Sequence, residues 1–223
     1  MYGWLWSNLM KLHQNHVILF QGDSITDCGR DRNAQAQPNH TGALGQGYAS
    51  RLAGDLLADY PGSGLRIFNR GISGNRVVDL YARWKCDGVN LEPDLISILI
   101  GVNDTWHEFG SRNGVEIDRF EIVYRMLLEF TRERRPHVGL VLCEPFVLDC
   151  GVVTPEWKLD IAARQEVVSR LAVEFGAVRV AFQEMFNEAL KEAPAEYWAD
   201  DGVHPTPAGH TRMARFWRSV TGL

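Results

Sequence analysis

The chain has 223 residues, 45% of them hydrophobic, with 23 lysines and arginines against 28 aspartates and glutamates for a formal net charge of −5. That length and apolar content suit one large folded domain, and no linker, charge block or repeat divides it. A mildly acidic balance spread along the chain gives no general attraction to nucleic acid or an anionic bilayer, and no stretch reaches the roughly 20 apolar residues of a membrane span.

The first sixteen residues, "MYGWLWSNLMKLHQNH", form an extension ahead of a single domain over 17–223. Trp4, Leu5, Trp6, Leu9 and Met10 are apolar, but there is no basic leader, sustained apolar core or small-residue cleavage site. These side chains pack back on the domain or cover a neighbouring subunit, because an exposed aromatic arm is costly. The second reading makes the protein a homo-oligomer. "HVILFQ" (16–21) then predicts a first strand, followed by "LRIFNR" (65–70), "DLISILIG" (94–101), "HVGLVLCEP" (137–145) and "AVRVAFQ" (177–183). Four of these five runs are apolar enough for a sheet covered on both faces.

Helical stripes lie between them: Tyr48, Leu52, Leu56 and Tyr60; Phe120, Val123, Leu127 and Phe130; Ile161, Val168, Leu171 and Phe175. A last helix begins near Pro207 and carries Met213, Phe216, Trp217 and Val220. The alternation predicts an α/β fold with a central five-stranded parallel sheet between helical layers. The basic run "TRERRPH" (131–137) reads as a solvated helix C-terminus, where positive charge suits the helix dipole. Cys28, Cys86, Cys143 and Cys150 lack the close pairing of a zinc site or dithiol motif. They predict reduced thiols and hence a cytoplasmic protein, although Cys143 and Cys150 are near enough in sequence to meet across a loop.

In an open parallel sheet, ligands bind in the crevice at the carboxyl ends of the strands. "GDS" follows the first strand, "GISGN" (71–75) the second and "GVND" (101–104) the third, while "DGVH" (201–204) follows the fifth strand and its helix. Four polar loops thus reach one edge. An alcohol is a poor nucleophile near neutral pH, so Ser24 would need a base and a group that fixes the base's tautomer. His204 and Asp201 supply both if their short loop curls. A developing oxyanion needs donors, each contributing about 3 kcal/mol; the candidates are the backbone N–H groups of Ser24 and Gly74 and the side-chain amide of Asn103. Taken singly, each has an ordinary structural reading. Ser24 is a turn or cap hydroxyl, Gly74 a turn glycine, Asn103 an Asx turn with Asp104 capping the next residues, Asp201 a cap before Pro205 and His204 a partly buried histidine. Their joint arrival at one crevice is not explained by turn chemistry.

The G-x-S-x-G elbow of α/β-hydrolases is missing, as are a dinucleotide fingerprint and a P-loop. The blocks "GDSITD" (22–27), "GISGN" (71–75), "GVND" (101–104) and "DGVHPT" (201–206) instead resemble those of the SGNH-hydrolase, or GDSL-esterase, superfamily over nearly the whole chain from residue 17. The resemblance implies a three-layer, flavodoxin-like sandwich. It also implies Ser24 as nucleophile, Ser24, Gly74 and Asn103 at the oxyanion hole, Asp201 and His204 completing a triad, and no metal or cofactor. "GALGQGY", "NRGISGNRVVDLYARW" and "GVNDTWHEFG" further resemble bacterial GDSL-type acetylxylan esterases, implying removal of acetyl groups from xylan or its oligomers. A broader short-chain carboxylesterase, a lipid-associated esterase and a carbohydrate-binding protein on a hydrolase scaffold stay open. Asp23, which is expected mainly to organise the nucleophile's loop, Trp106 and His107 are the candidate substrate contacts. Trp106 reads as an acyl-pocket wall or a sugar-stacking ring, and equally as a packed aromatic.

Overall fold

The first strand shows why the sheet is central. In β1 (Val17–Gly22) every residue is buried, with Ile18 and Phe20 in one apolar cluster and Val17 and Leu19 in another. Strand side chains alternate between faces, so such a strand is stable only with helices on both sides. The computed structural model describes residues 12–223. The expectation that Trp4, Leu5, Trp6, Leu9 and Met10 pack on the domain or a subunit interface lies outside the described residues.

After β1 come α1 (Ser24–Asp27), α2 (Thr41–Leu44), α3 (Tyr48–Asp59), β2 (Arg66–Asn69), α4 (Val77–Asp87), β3 (Leu95–Leu99), α5 (Val102–Ser111) and α6 (Ile117–Arg134). β4 (Gly139–Cys143), α7 (Pro155–Glu174), β5 (Val178–Val180), α8 (Phe182–Ala189), α9 (Ala195–Trp198) and α10 (Pro207–Thr221) complete the chain. All pairings are parallel, in the order β2-β1-β3-β4-β5. The predicted three-layer α/β sandwich with a five-stranded parallel sheet is what the chain forms.

Some boundaries shift. β5 is three residues long, and Phe182, expected in the strand, is instead the first residue of α8. Tyr60 caps α3 and is 40% exposed, and Val220 is 37% exposed, so neither belongs to its buried stripe. α3, α8 and α10 cover one face through Leu52, Phe186 and Trp217. α4, α6 and most of α7 cover the other through Trp84, Leu127 and Val168. Two buried indoles tie the helices inward: that of Trp217 donates to Ser97 Oγ at 3.0 Å, and that of Trp84 to Thr131 Oγ1 at 2.8 Å.

The basic run at 131–137 is a helix end whose arginines tie down loops. Arg132 donates to the carbonyls of Val138 and Phe175 at 2.6 and 2.9 Å, and Arg135 to that of Glu92 at 3.2 Å. These residues border a recess of about 740 Å³ with His16, Asp94 and His137, and none of the predicted catalytic residues lines it. All four cysteines are free thiols. Cys150 points at the Ala199 carbonyl, 3.1 Å away, and Cys143 lies buried beside Ser97, so the two do not meet. No helix among the described residues is long and apolar enough to cross a membrane.

Candidate active site

The strand order places β1 between β2 and β3, and chain connectivity reverses direction there. Such a switch point opens a crevice at the carboxyl ends. Gly22 ends β1 beside Leu99 of β3, so the loops carrying Ser24 and Asn103 start as neighbours. A Cβ at Gly22 would strike the Leu99 carbonyl oxygen, and its φ of +156° suits glycine; the close approach of the two loops requires this residue.

Ser24 opens α1, with Asp23 as its N-cap: Asp23 Oδ1 accepts from Ile25 N at 3.0 Å. The Ser24 Oγ lies 2.8 Å from His204 Nε2, although 180 residues separate the two in sequence. His204 Nδ1 is 2.6 Å from Asp201 Oδ2, while Asp201 Oδ1 accepts from the backbone N–H groups of Val203 and His204 at 2.9 and 2.7 Å. The loop therefore curls about its own carboxylate. Burial pushes the Asp201 carboxyl up, but its hydrogen bonds with His204 and Val203 outweigh this and hold it below its ordinary value. An ionised Asp201 fixes the proton of the imidazole on Nδ1, leaving Nε2 to accept from the serine.

The oxyanion candidates are arranged as free donors. Asn103 sits in the first turn of α5, is 7% exposed, and its Nδ2 has no hydrogen-bond partner among the described residues. A buried amide left unpaired costs free energy, which is recovered when an acceptor arrives. Gly74 adopts φ +83° with open space where a Cβ would project. The N–H groups of Ser24 and Gly74 take no part in the turn and loop backbone hydrogen bonds among the described residues. α5 also directs its positive N-terminal end toward this region.

Around these groups a polar frame fixes the loops. Asp27 accepts from Ser73 N at 3.0 Å and pairs with Arg32 at 2.8 Å, while Arg30 Nε donates to the Gly71 carbonyl at 2.6 Å. Asp104 is fully buried and accepts Val77 N with both oxygens, at 3.1 and 3.2 Å. It therefore clamps the start of α4 to α5; its expected role as a cap within its own loop is replaced by this cross-loop bond. Arg76 is the N-cap of α4, and Arg83 within that helix donates from Nε to Asn75 Oδ1 at 2.7 Å.

Three features are not evident from the sequence. His210 in α10 accepts from Tyr48 N at 3.1 Å and meets Cys28 Sγ at 3.3 Å through Nε2. Burial lowers its pKa to about 4, so it is a neutral strut joining α10, α3 and the nucleophile loop. Arg164 is 1% exposed and binds Thr105 Oγ1 and Asp160 Oδ1, both at 3.0 Å. Trp157, at the start of α7, packs edge-on to Trp106 with centroids 5.3 Å apart. An arginine inside an apolar helical stripe is the one local signal for Arg164; nothing local marks the other two.

Of the candidate substrate contacts, Trp106 lies with its centroid 5.7 Å from the His204 ring, tilted 52°. His107 is half-buried, and its carbonyl accepts from Asn113 N at 3.0 Å. Asp23 is 1% exposed, which makes it a cap under the nucleophile rather than an open contact surface, and its Oδ2 has no partner among the described residues. Burial raises its carboxyl to about 7, against the opposing pull of Ile25 N–H and His204. Between about pH 4 and pH 7 the folded state therefore binds more protons here than the unfolded state, so this group makes stability fall as pH rises. Asp23→Asn keeps an oxygen for the cap without the charge. Its thermal midpoint relative to the native protein should improve on going from about pH 5 to about pH 8; a difference independent of pH would refute the buried-acid assignment.

A serine, imidazole and carboxylate in hydrogen-bonded sequence at the switch point of a parallel sheet define a serine hydrolase of the SGNH class. The chain belongs to the GDSL-like lipase/acylhydrolase family, whose model matches residues 20–212. It is 41% identical over 218 residues to an acetylxylan esterase from Geobacillus stearothermophilus, covering 95% of this chain and 96% of that one. Among solved structures it is similar to a GDSL-like lipase from Parabacteroides merdae, at TM-score 0.90 and 43% identity with 95% and 98% of the two chains covered. The acetylxylan esterase structure from G. stearothermophilus matches at TM-score 0.86 and 38% identity, covering 96% and 97%.

Proposed function

We propose that this protein is a serine carboxylesterase that removes acetyl groups from acetylated xylooligosaccharides through an acyl-serine intermediate. The observation that carries the reading is the Ser24–His204–Asp201 chain at 2.8 and 2.6 Å, and the buried, unpaired Asn103 amide supports it. His204 takes the Ser24 proton as the oxygen attacks the ester carbonyl. The carbonyl oxygen, now negative, is received by the N–H groups of Ser24 and Gly74 and by Asn103 Nδ2. Protonated His204 then gives its proton to the leaving alcohol, and Asp201 stabilises the cation without itself being protonated. Water deprotonated by the same imidazole attacks the acyl-serine, releasing acetate and restoring Ser24.

The proton must reach the leaving oxygen from His204 Nε2, so the group packed beside that ring, Trp106, borders the alcohol side. The acetyl and xylose parts of the proposal are supported by the relatives at 41% and 38% identity. The test is a substrate panel of acetyl, butyryl and octanoyl aryl esters set beside acetylated xylooligosaccharides and phospholipids. Turnover should be highest for acetyl and should extend to the oligosaccharides. Better turnover of octanoyl than acetyl would exclude the acetyl preference, and activity on aryl acetates alone would leave a broader short-chain esterase.

A further inference from the structure

We infer that Phe109, stacked on Trp157 at the mouth of the site, is the platform for a sugar ring of the leaving alcohol beyond the unit that carries the ester. This rests on the deacetylation of xylooligosaccharides proposed above. α5 carries Asn103, Trp106 and Phe109 at steps of three, so each adjoins the next on the helix surface. Trp106 touches the His204 ring, and Trp157 packs against Trp106 and lies beneath Phe109, whose ring is 6.1 Å away at an interplanar angle of 26°. Trp157 is 5% exposed, whereas Phe109 is 48% exposed. The phenyl ring thus lies nearly parallel to a buried indole while about half of the residue remains in solvent.

Single exposed aromatics are common on protein surfaces. This one is continuous with the catalytic histidine through two further rings, and six residues of helix carry it about 9 Å along the axis from the oxyanion donor. That displacement is too large for contact with an acetyl group on Ser24, and an open ring is a poor acyl pocket, since such pockets are enclosed. It suits the alcohol side, where Trp106 already stands. The residues flanking Phe109 are polar: Glu108, Ser111 and Arg112 are all exposed. A lipid chain would need continuous apolar surface, whereas a pyranose presents C–H groups to an aromatic face and hydroxyls to a polar rim.

The ledge is also held still. Thr105 Oγ1 bonds Asp160, and Arg164 binds both, with a further bond of 2.8 Å to the Val115 carbonyl, fixing α5 to α7 on the side of the core. A platform that is rigid before binding loses less entropy on binding.

The test compares native protein, Phe109→Ala and Phe109→Tyr on acetylated xylotetraose and on 4-nitrophenyl acetate, with molar mass followed by light scattering. For Phe109→Ala, KM for the tetramer should rise about tenfold with kcat near native, both constants for the aryl ester should be unchanged, and Phe109→Tyr should restore the tetramer KM. An unchanged tetramer KM overturns the platform, as does an equal loss on the aryl ester, which would indicate a distorted site. A changed molar mass overturns it by making Phe109 a subunit contact. If the native protein hydrolyses the aryl ester but no acetylated xylooligosaccharide, the proposed substrate falls and the platform with it, a result distinct from failure of the Phe109 variants alone.

Discussion

Ser24→Ala should lower kcat for an acetyl ester by at least ~10³-fold, and His204→Ala by a similar factor, with the folded structure retained in both. The two side chains act as one unit: the hydroxyl is nucleophilic only while Nε2 accepts its proton at 2.8 Å, and the imidazole has no reaction to serve without the hydroxyl. The double variant should therefore be scarcely worse than either single one, since losses within such a unit do not add. Neither side chain is buried, that of His204 being 43% exposed, so their removal leaves no buried cavity and the thermal midpoint should hold. A serine-directed phosphonate should label the native protein and not Ser24→Ala. Near-native turnover in His204→Ala, or undiminished labelling of the alanine variant, would remove the triad from the mechanism and favour a binding role for the scaffold.

The second large effect is expected at Asn103. Asn103→Ala should reduce kcat by about 10²–10³-fold with little change in KM, because the amide is asked to bind an oxyanion that exists only after attack. Its Nδ2 is buried and bonded to nothing among the described residues, so the alanine variant removes an unpaired donor rather than a stabilising bond. A structural asparagine would behave oppositely, losing stability and leaving kcat nearly unchanged. Measuring kcat and the thermal midpoint on the same preparation separates the two roles; a kcat within tenfold of native would exclude Asn103 from the oxyanion hole.

Much of the architecture is legible along the chain because the five strands are short apolar runs separated by helical stripes, and burial on both faces leaves that pattern few folds. The limits show at particular residues. Phe182 reads as strand because it continues the apolar run of Val180 and Ala181 in "AVRVAFQ", whereas in the fold it starts α8 and packs against Phe146 and Tyr48. Trp106 reads as well for substrate contact as for packing, and its neighbours His204 and Trp157 lie 98 and 51 residues away along the chain. The pairing of Asp104 with Val77, and of His210 with Cys28 and Tyr48, likewise joins segments that no local pattern connects.

By itself the sequence determined which residue types reach the carboxyl edge of the sheet, since each block directly follows a strand or precedes the last helix. Tertiary structure alone decided that Ser24 and His204 meet. β1 and β3 are adjacent because the strand order reverses there. α10 returns from the far edge to lay Trp217 against Phe20 and Ser97, carrying the Asp201–His204 loop back above Ser24. The physical reason is that hydrogen bonds and ring contacts act over a few ångströms, so their partners are selected by how the layers pack and not by how far apart they stand along the chain.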